Sequence, residues 1–214
     1  MNSHDWVGAI SNLEYNKDKW RASVGIDLRK YKGYHYRTVN NLMGFDAYYS
    51  TGNDNSVGQF VNTTVNASPF NNTGLNGPKI DYYNIGNVGW AGINGLVEYN
   101  DDGGVNAVIQ AGLSNQSFQR EDYFDQTSNP ISETANLGGG YIKGGANYNI
   151  DEKSNVFANA GYISRQPQFD AVFPNLANDV NPDLQNEEIT SFELGYGYLG
   201  NDLTVNANAY TTTW

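Results

Sequence analysis

Apolar and polar residues alternate strictly from Trp20 to Arg29: Trp20, Ala22, Val24, Ile26 and Leu28 form one row, and Arg21, Ser23, Gly25, Asp27 and Arg29 fill the positions between. Successive side chains of a strand point to opposite faces, so this stretch predicts a strand with one apolar and one charged side. Three further hairpins share the pattern. Val7, Ala9, Ser11, Leu13 and Tyr15 lead into the turn Asn16-Lys17-Asp18-Lys19 before the Trp20 row. Ala91, Ile93, Gly95, Val97 and Tyr99 pair across 100–104 with Val105, Ala107, Ile109, Ala111 and Leu113; Ile142, Gly144, Ala146 and Tyr148 pair across 151–154 with Val156, Ala158, Ala160 and Tyr162. Thr190, Phe192, Leu194, Tyr196 and Tyr198 meet Leu203, Val205, Ala207 and Ala209 across Gly200-Asn201-Asp202. Asn, Asp and Gly tolerate the positive φ of tight hairpin turns, so the pattern predicts about eight antiparallel strands and almost no helix.

Tyr15, Trp20, Tyr99, Tyr148 and Tyr198 all lie on the apolar rows, and each ends a strand beside a short turn. A lipid-facing barrel wall places amphipathic rings at headgroup level in this way. Connection lengths agree: turns of a few residues alternate with long stretches at roughly 30–88, 119–138 and 165–187, like the short periplasmic turns and long extracellular loops of outer-membrane barrels. A soluble β-sandwich that binds carbohydrate is the bland alternative, since one-sided alternation also occurs in soluble antiparallel sheets.

Composition alters this picture in two places. Mean hydropathy is -0.59 with 39% apolar residues, which excludes transmembrane helices; a barrel needs only every second strand residue apolar. The net charge of -11 argues against nucleic acid as a partner and fits acidic outer loops. There is no cysteine, hence no thiolate metal site, and Met1-Asn2-Ser3-His4-Asp5 is no signal peptide.

Candidate chemistry is sparse. His4 and His35 stand apart without metal-ligand spacing and read as surface residues. Asp54, Ser56 and Gly58 faintly echo a calcium loop, but Val65 occupies the place of its bidentate glutamate. Glu121-Asp122 with Asp125, and Glu187-Glu188, are acidic groups in predicted loops, where solvated charge or cation binding outweighs acid–base work. Asn-x-Ser/Thr matches at Asn62, Asn66, Asn71 and Asn115 are expected by chance in an Asn-rich chain. The Asn- and Tyr-rich run Tyr48 to Asn55 suits a polar ligand such as a sugar or peptide, and equally suits any exposed loop. No catalytic residue, cofactor-binding motif or metal site is assigned, so the expectation is a protein that is not an enzyme, with ligand-binding residues unknown.

The last third of the chain resembles the TonB-dependent receptors of Gram-negative outer membranes, most closely the Bacteroidetes type. The resemblance is carried by 155–163 leading into Ser164-Arg165-Gln166-Pro167, then Phe173-Pro174-Asn175, Asn181-Pro182-Asp183-Leu184 with Glu187, and Phe192-Glu193-Leu194-Gly195-Tyr196. In that family a strand ending Ser-Arg-x-Pro enters an extracellular loop, and an Asn-Pro-x-Leu-x-Pro-Glu corner precedes the next strand. Asn186 replaces the corner's proline, which implies a less rigid corner. The resemblance implies about eight strands of a barrel of roughly 22 whose lumen is filled by a plug, coupled through that plug to TonB and importing a scarce nutrient: a metal chelate, vitamin, glycan or peptide. Plug, TonB box and barrel C-terminus have no counterpart in residues 1–214. Trp214 falls on the opposite parity from the last apolar row, with Tyr210, and reads as an inward or interface residue of a strand cut short. The implied partners are outer-membrane lipid and lipopolysaccharide, the plug with TonB, and an unidentified ligand. An autonomous small barrel acting as pore, adhesin or enzyme stays open as the first alternative, ahead of the soluble sandwich.

Overall fold

The computed structural model describes residues 2–65, 73–101, 103–125 and 128–214. Eight long strands form one antiparallel sheet: β1 (Asn2–Lys17), β2 (Trp20–Arg37), β5 (Ile80–Asn100), β6 (Val105–Asp122), β7 (Ala135–Asn149), β8 (Ser154–Arg165), β9 (Glu187–Leu199) and β10 (Thr204–Thr213), each paired with its neighbour in the chain. Two three-residue strands, β3 (Tyr48–Ser50) and β4 (Gln59–Val61), make a separate hairpin within the first long connection. Two single-turn helices, α1 (Thr73–Asn76) and α2 (Phe169–Val172), and the 3-10 turn Pro174–Leu176 complete the described elements. None of these helices is long and apolar enough to cross a membrane. Strands β1 and β10 are the two edges of the sheet and do not pair with each other.

The turns form for local reasons. Asp18 adopts φ 51° between the paired Lys17 and Trp20, a conformation Asp tolerates better than most residues. At the β7–β8 turn the Asp151 carboxylate accepts the backbone N–H groups of Lys153 and Ser154, at 2.8 and 2.7 Å, an Asx-turn that closes the hairpin.

Register decides which residues share a face, because directly opposed residues of an antiparallel pair project to the same side. One continuous row reads Leu13, Val24, Gly95, Ala111, Ile142, Tyr162, Thr190; the next reads Tyr15, Ala22, Val97, Ile109, Gly144, Ala160, Phe192. Every predicted apolar row therefore lies on one face. Between them run rows such as Asn16, Arg21, Glu98, Val108, Gly145, Asn159, Glu193, Tyr210, which also places Tyr210 on the polar face as its parity predicts. The apolar face stays bare: Leu13 is 70% exposed, Ile26 49% and Phe192 57%. A sandwich would cover it with a second sheet, and the only other described sheet is the short β3–β4 hairpin.

The predicted loop limits need correction. Four strands extend far past the apolar rows, to Arg37 in β2, back to Ile80 in β5, to Asp122 in β6 and back to Ala135 in β7, so the long connections shrink to 38–79, 123–134 and 166–186. These extensions do not alternate cleanly, because they are packed on both sides. Val172 and Phe173, on the third connection, are buried at 0% and 2% with Phe118 and Ala135, and Val88, Leu137, Phe169, Val180 and Leu184 pack around them. Val88, Phe118, Ala135 and Leu137 point to the polar face by register. The third connection thus folds inward across the polar side of the sheet. The first connection gathers Val39, Val61 and Ile80 into a second cluster, and its Asn55 side chain donates to the Tyr123 carbonyl at 3.0 Å.

Candidate ligand site on the inner face

The polar face begins above the short turns as a band of paired charges and amides. Arg21 bridges Glu14 and Glu98 at 3.1 and 3.4 Å; Asn159 and Asn208 both donate to Glu193; and Gln110 donates to the Tyr141 hydroxyl at 3.0 Å. Arg29 donates to Asp27 through Nε at 2.8 Å. Arg21, Asp27 and Arg29, the charged residues between those of the Trp20 row, are therefore together on this face, each neutralised by a neighbour.

Higher up, the inward-folded connection 166–186 roofs a cavity of about 530 Å³. Trp6, Arg29, Tyr31, Trp90 and Gln116 line its sheet side, and Arg165, Gln166 and Phe169 its loop side. A smaller cavity of about 300 Å³ adjoins it toward the turns, between Asp27, Trp90, Asn94, Ser114, Tyr141 and Gln166. Trp90 faces both, and its indole N–H is buried without a hydrogen-bond partner. Buried donors are nearly always satisfied, so this one is poised for an acceptor brought by a ligand. Trp6 and Tyr31 stand edge to face with centroids 5.5 Å apart. Arg165 pairs with Glu187 as Arg29 does with Asp27, so the walls offer aromatic faces, donors and acceptors but little net charge.

The roof is pinned at both ends by residues of the sequence motif. Gln166 is 8% exposed and donates to the Ser114 hydroxyl at 2.9 Å; its amide lies over Gly139, where any side chain would collide with it. Asn186 donates to the Gly138 carbonyl at 2.7 Å and the Ser164 hydroxyl at 2.8 Å. The expectation of a loosened corner at Asn186 is overturned, since these bonds supply the constraint that proline gives through its ring. Asn181 fastens the corner from the other side, its N–H bonded to the Val172 carbonyl at 2.9 Å. Midway, Arg120 donates to Asn178 at 2.8 Å and to Asp122 at 2.6 Å, with the Arg120 and Asp122 side chains 3% and 2% exposed. Asp122 also accepts the N–H groups of Phe124 and Asp125, both at 2.9 Å. One buried ion pair thus locks the second and third connections to the strand they share.

The remaining predicted residues divide. His4 and His35 are not isolated: register brings their rings within 6.3 Å of each other on the inner face, His4 sharing a 2.6 Å hydrogen bond with the Tyr31 hydroxyl. Burial lowers the pKa of His35, and the charge of His4 adds to this. Only the 31-residue separation hid the pair. Glu121 and Asp122 are strand residues on opposite faces, not a paired acid–base couple. Burial works to raise the Glu121 pKa, but hydrogen bonds from Tyr123 and Asn87 and the charge of Lys32 outweigh it and hold the carboxyl below its usual range. The same 2.5 Å bond pushes the Tyr123 hydroxyl up to about 12. Burial, with Asp122 and Asp54 nearby, raises Asp125. Glu187 and Glu188 also part, to Arg165 and to the Tyr162 hydroxyl. Asp54 and Ser56 lie in a turn at Asn53, and no cluster of three or more metal-binding side chains exists among the described residues. Asn66 and Asn71 lie outside the described residues.

This architecture is similar to that of the copper transporter OprC, with a TM-score of 0.60 and 14% identity over 99% of the chain. The fold is that of an outer-membrane β-barrel wall. The chain spans 29% of the length of OprC. No family model matches the chain, and no curated protein matches it. The bare apolar face and the roofed cavity lie on opposite faces of this sheet, the cavity on the polar, inner one.

Proposed function

We propose that the chain forms a section of the barrel of a TonB-dependent outer-membrane receptor, in which the inner-face cavity contributes to binding a scarce nutrient for energy-dependent import. The observation that carries this reading is the third connection. It is packed inward on Phe118 and Val172 and held by Gln166, Asn186 and the buried Arg120–Asp122 pair, so it builds a lumenal site rather than a free outer loop. The Ser164–Pro167 and Asn181–Leu184 motifs that resemble the receptor family are the segments doing this pinning. Aromatic walls with internally neutralised charges suit an uncharged, hydroxyl-rich or amide-rich ligand in a cavity of the usual size for small molecules. The carboxylates of these walls, Asp27 and Glu187, are committed to Arg29 and Arg165. A plug and TonB are its implied partners, and outer-membrane lipid its surroundings.

Copper is a second reading, favoured by the His4–His35 pair together with the cargo named for OprC. Accumulation of copper, cobalamin, ferric siderophores and oligosaccharides, measured in cells with and without the gene and with and without an uncoupler, tests both. Gene-dependent uptake of one cargo that collapses with the uncoupler supports the receptor. Gene-dependent flux that persists without proton-motive force identifies a passive pore instead.

A further inference from the structure

We infer that the outward face of β2, β5 and β6 carries a binding site for a phosphorylated glycolipid headgroup of the outer leaflet, centred on Lys30. This rests on the reading of the apolar face as lipid-facing. From Trp20, at the turn-side girdle, ten residues of strand lead to Lys30 on the same parity. At the usual strand rise and a barrel tilt of about 45°, that path climbs roughly 24 Å, the height of the apolar band of an outer-membrane barrel. Lys30 therefore stands where lipid chains give way to headgroups, on the side of the long loops.

At this level the outer wall is hollow. A groove of about 390 Å³ is lined by Lys30, Asn87, Gly89, Asn115, Ser117 and Gln119. Register puts all six on the outward face, directly above Leu28, Ala91 and Leu113 of the apolar rows. Gly89 makes the hollow: a Cβ there would run into the Ser117 hydroxyl. Three amides, a hydroxyl and an ammonium outside a barrel, above apolar residues, match a headgroup that presents sugar hydroxyls and phosphate over acyl chains.

Position and charge pairing together point to Lys30. All five arginines are ion-paired with carboxylates, as are Lys19 and Lys32, whereas Lys30 is exposed and has no carboxylate partner among the described residues; Lys17 and Lys153, without one as well, stand at the short turns, and Lys143 lies on the polar face. The carboxylates flanking it on this face are already engaged, Asp5 by the Tyr34 hydroxyl at 3.1 Å and Glu121 by Tyr123, Asn87 and Lys32. In a chain of net charge -11, an uncompensated cation at headgroup height is the feature a lipid phosphate would neutralise.

The test uses the full chain folded into nanodiscs containing diphosphoryl lipid A, dephosphorylated lipid A or phosphatidylglycerol, with native mass spectrometry reading the lipid that stays bound on release. Retention of diphosphoryl lipid A is expected to fall about fivefold for Lys30→Gln, the loss of one interfacial cation, and to return with Lys30→Arg. Ser117→Leu, which fills the groove, is expected to abolish it, and Lys153→Gln, in the β7–β8 turn, to leave it unchanged. Equal retention by Lys30→Gln, by dephosphorylated lipid A or by phosphatidylglycerol overturns the proposal. Quenching of a bimane at Ala22→Cys by brominated lipid is read alongside. Quenching with Lys30-independent retention refutes the site alone, and absence of quenching refutes the lipid-facing wall beneath it.

Discussion

The two ends of this sheet are built on opposite principles. Beside the short turns each strand is a clean alternation with nothing packed on its apolar side: Leu13, Ile26 and Leu194 are 49% to 70% exposed. Beside the long connections the same strands carry Tyr36, Ile85, Phe118 and Ala135, all below 9% exposure, with connections folded over them. On the proposed reading the turn end leaves its apolar surface for lipid to solvate, whereas the connection end covers its own, as a water-exposed structure must. Apolar side chains thus report on packing in one half and on surroundings in the other.

Mutations of like chemistry should separate the halves. Asp122→Ala should have the largest effect, about 3–5 kcal/mol, because it strands the buried Arg120 charge; urea unfolding in detergent micelles measures it, and a loss below 1 kcal/mol would deny that the pair locks the connections. Phe173→Ala should cost about 3–5 kcal/mol through an unfilled cavity, while Leu113→Ala on the bare face should cost clearly less, since lipid fills the space. Equal losses for the two in a lipid-folding assay would erase the distinction between the halves. Ile26→Arg should cost roughly 2–4 kcal/mol in a bilayer, with its neighbour Asp27→Ala mild and both near neutral in a urea-soluble state.

The smallest effect is a titration. Tyr123 should ionise with a midpoint near 12, falling toward the ordinary tyrosine value in Glu121→Gln. Its raised pKa adds stability that is complete below the unfolded value near 10 and lost as pH rises through about 12. Glu121, depressed when folded, adds stability present above its unfolded value and lost as pH falls through the folded one. An ultraviolet titration of Tyr123 unchanged by Glu121→Gln would break this coupling.

How legible each half was in the sequence follows from the same contrast. The turn end could be read almost residue by residue, because nothing packs on one side of its strands and the period-2 pattern survives intact. The run 30–37, Lys-Tyr-Lys-Gly-Tyr-His-Tyr-Arg, has no such pattern: tyrosines on both parities pack under connections, and the strand looked like loop. The connection fold rests on partners far apart in sequence, as Gln166 on Ser114 and Arg120 on Asn178, which no local signal announces. Asn186 was visible as a departure from the family's proline, but its role needed the positions of Gly138 and Ser164. The His4–His35 pair required the β1–β2 register, which the Trp20 row and its turn already fixed; counting outward from that turn would have found it.

The chain has no cysteine, so single cysteines along β2 from position 21 to 36 can each carry a bimane in lipid bilayers and be quenched by brominated acyl chains. The account predicts strong quenching at 22, 24, 26 and 28, little at 21, 23, 25, 27 and 29, and loss of both quenching and alternation from 32 onward. Uniform quenching, no quenching, or alternation that continues through Tyr36 would contradict a lipid-facing wall that gives way to a self-covered end.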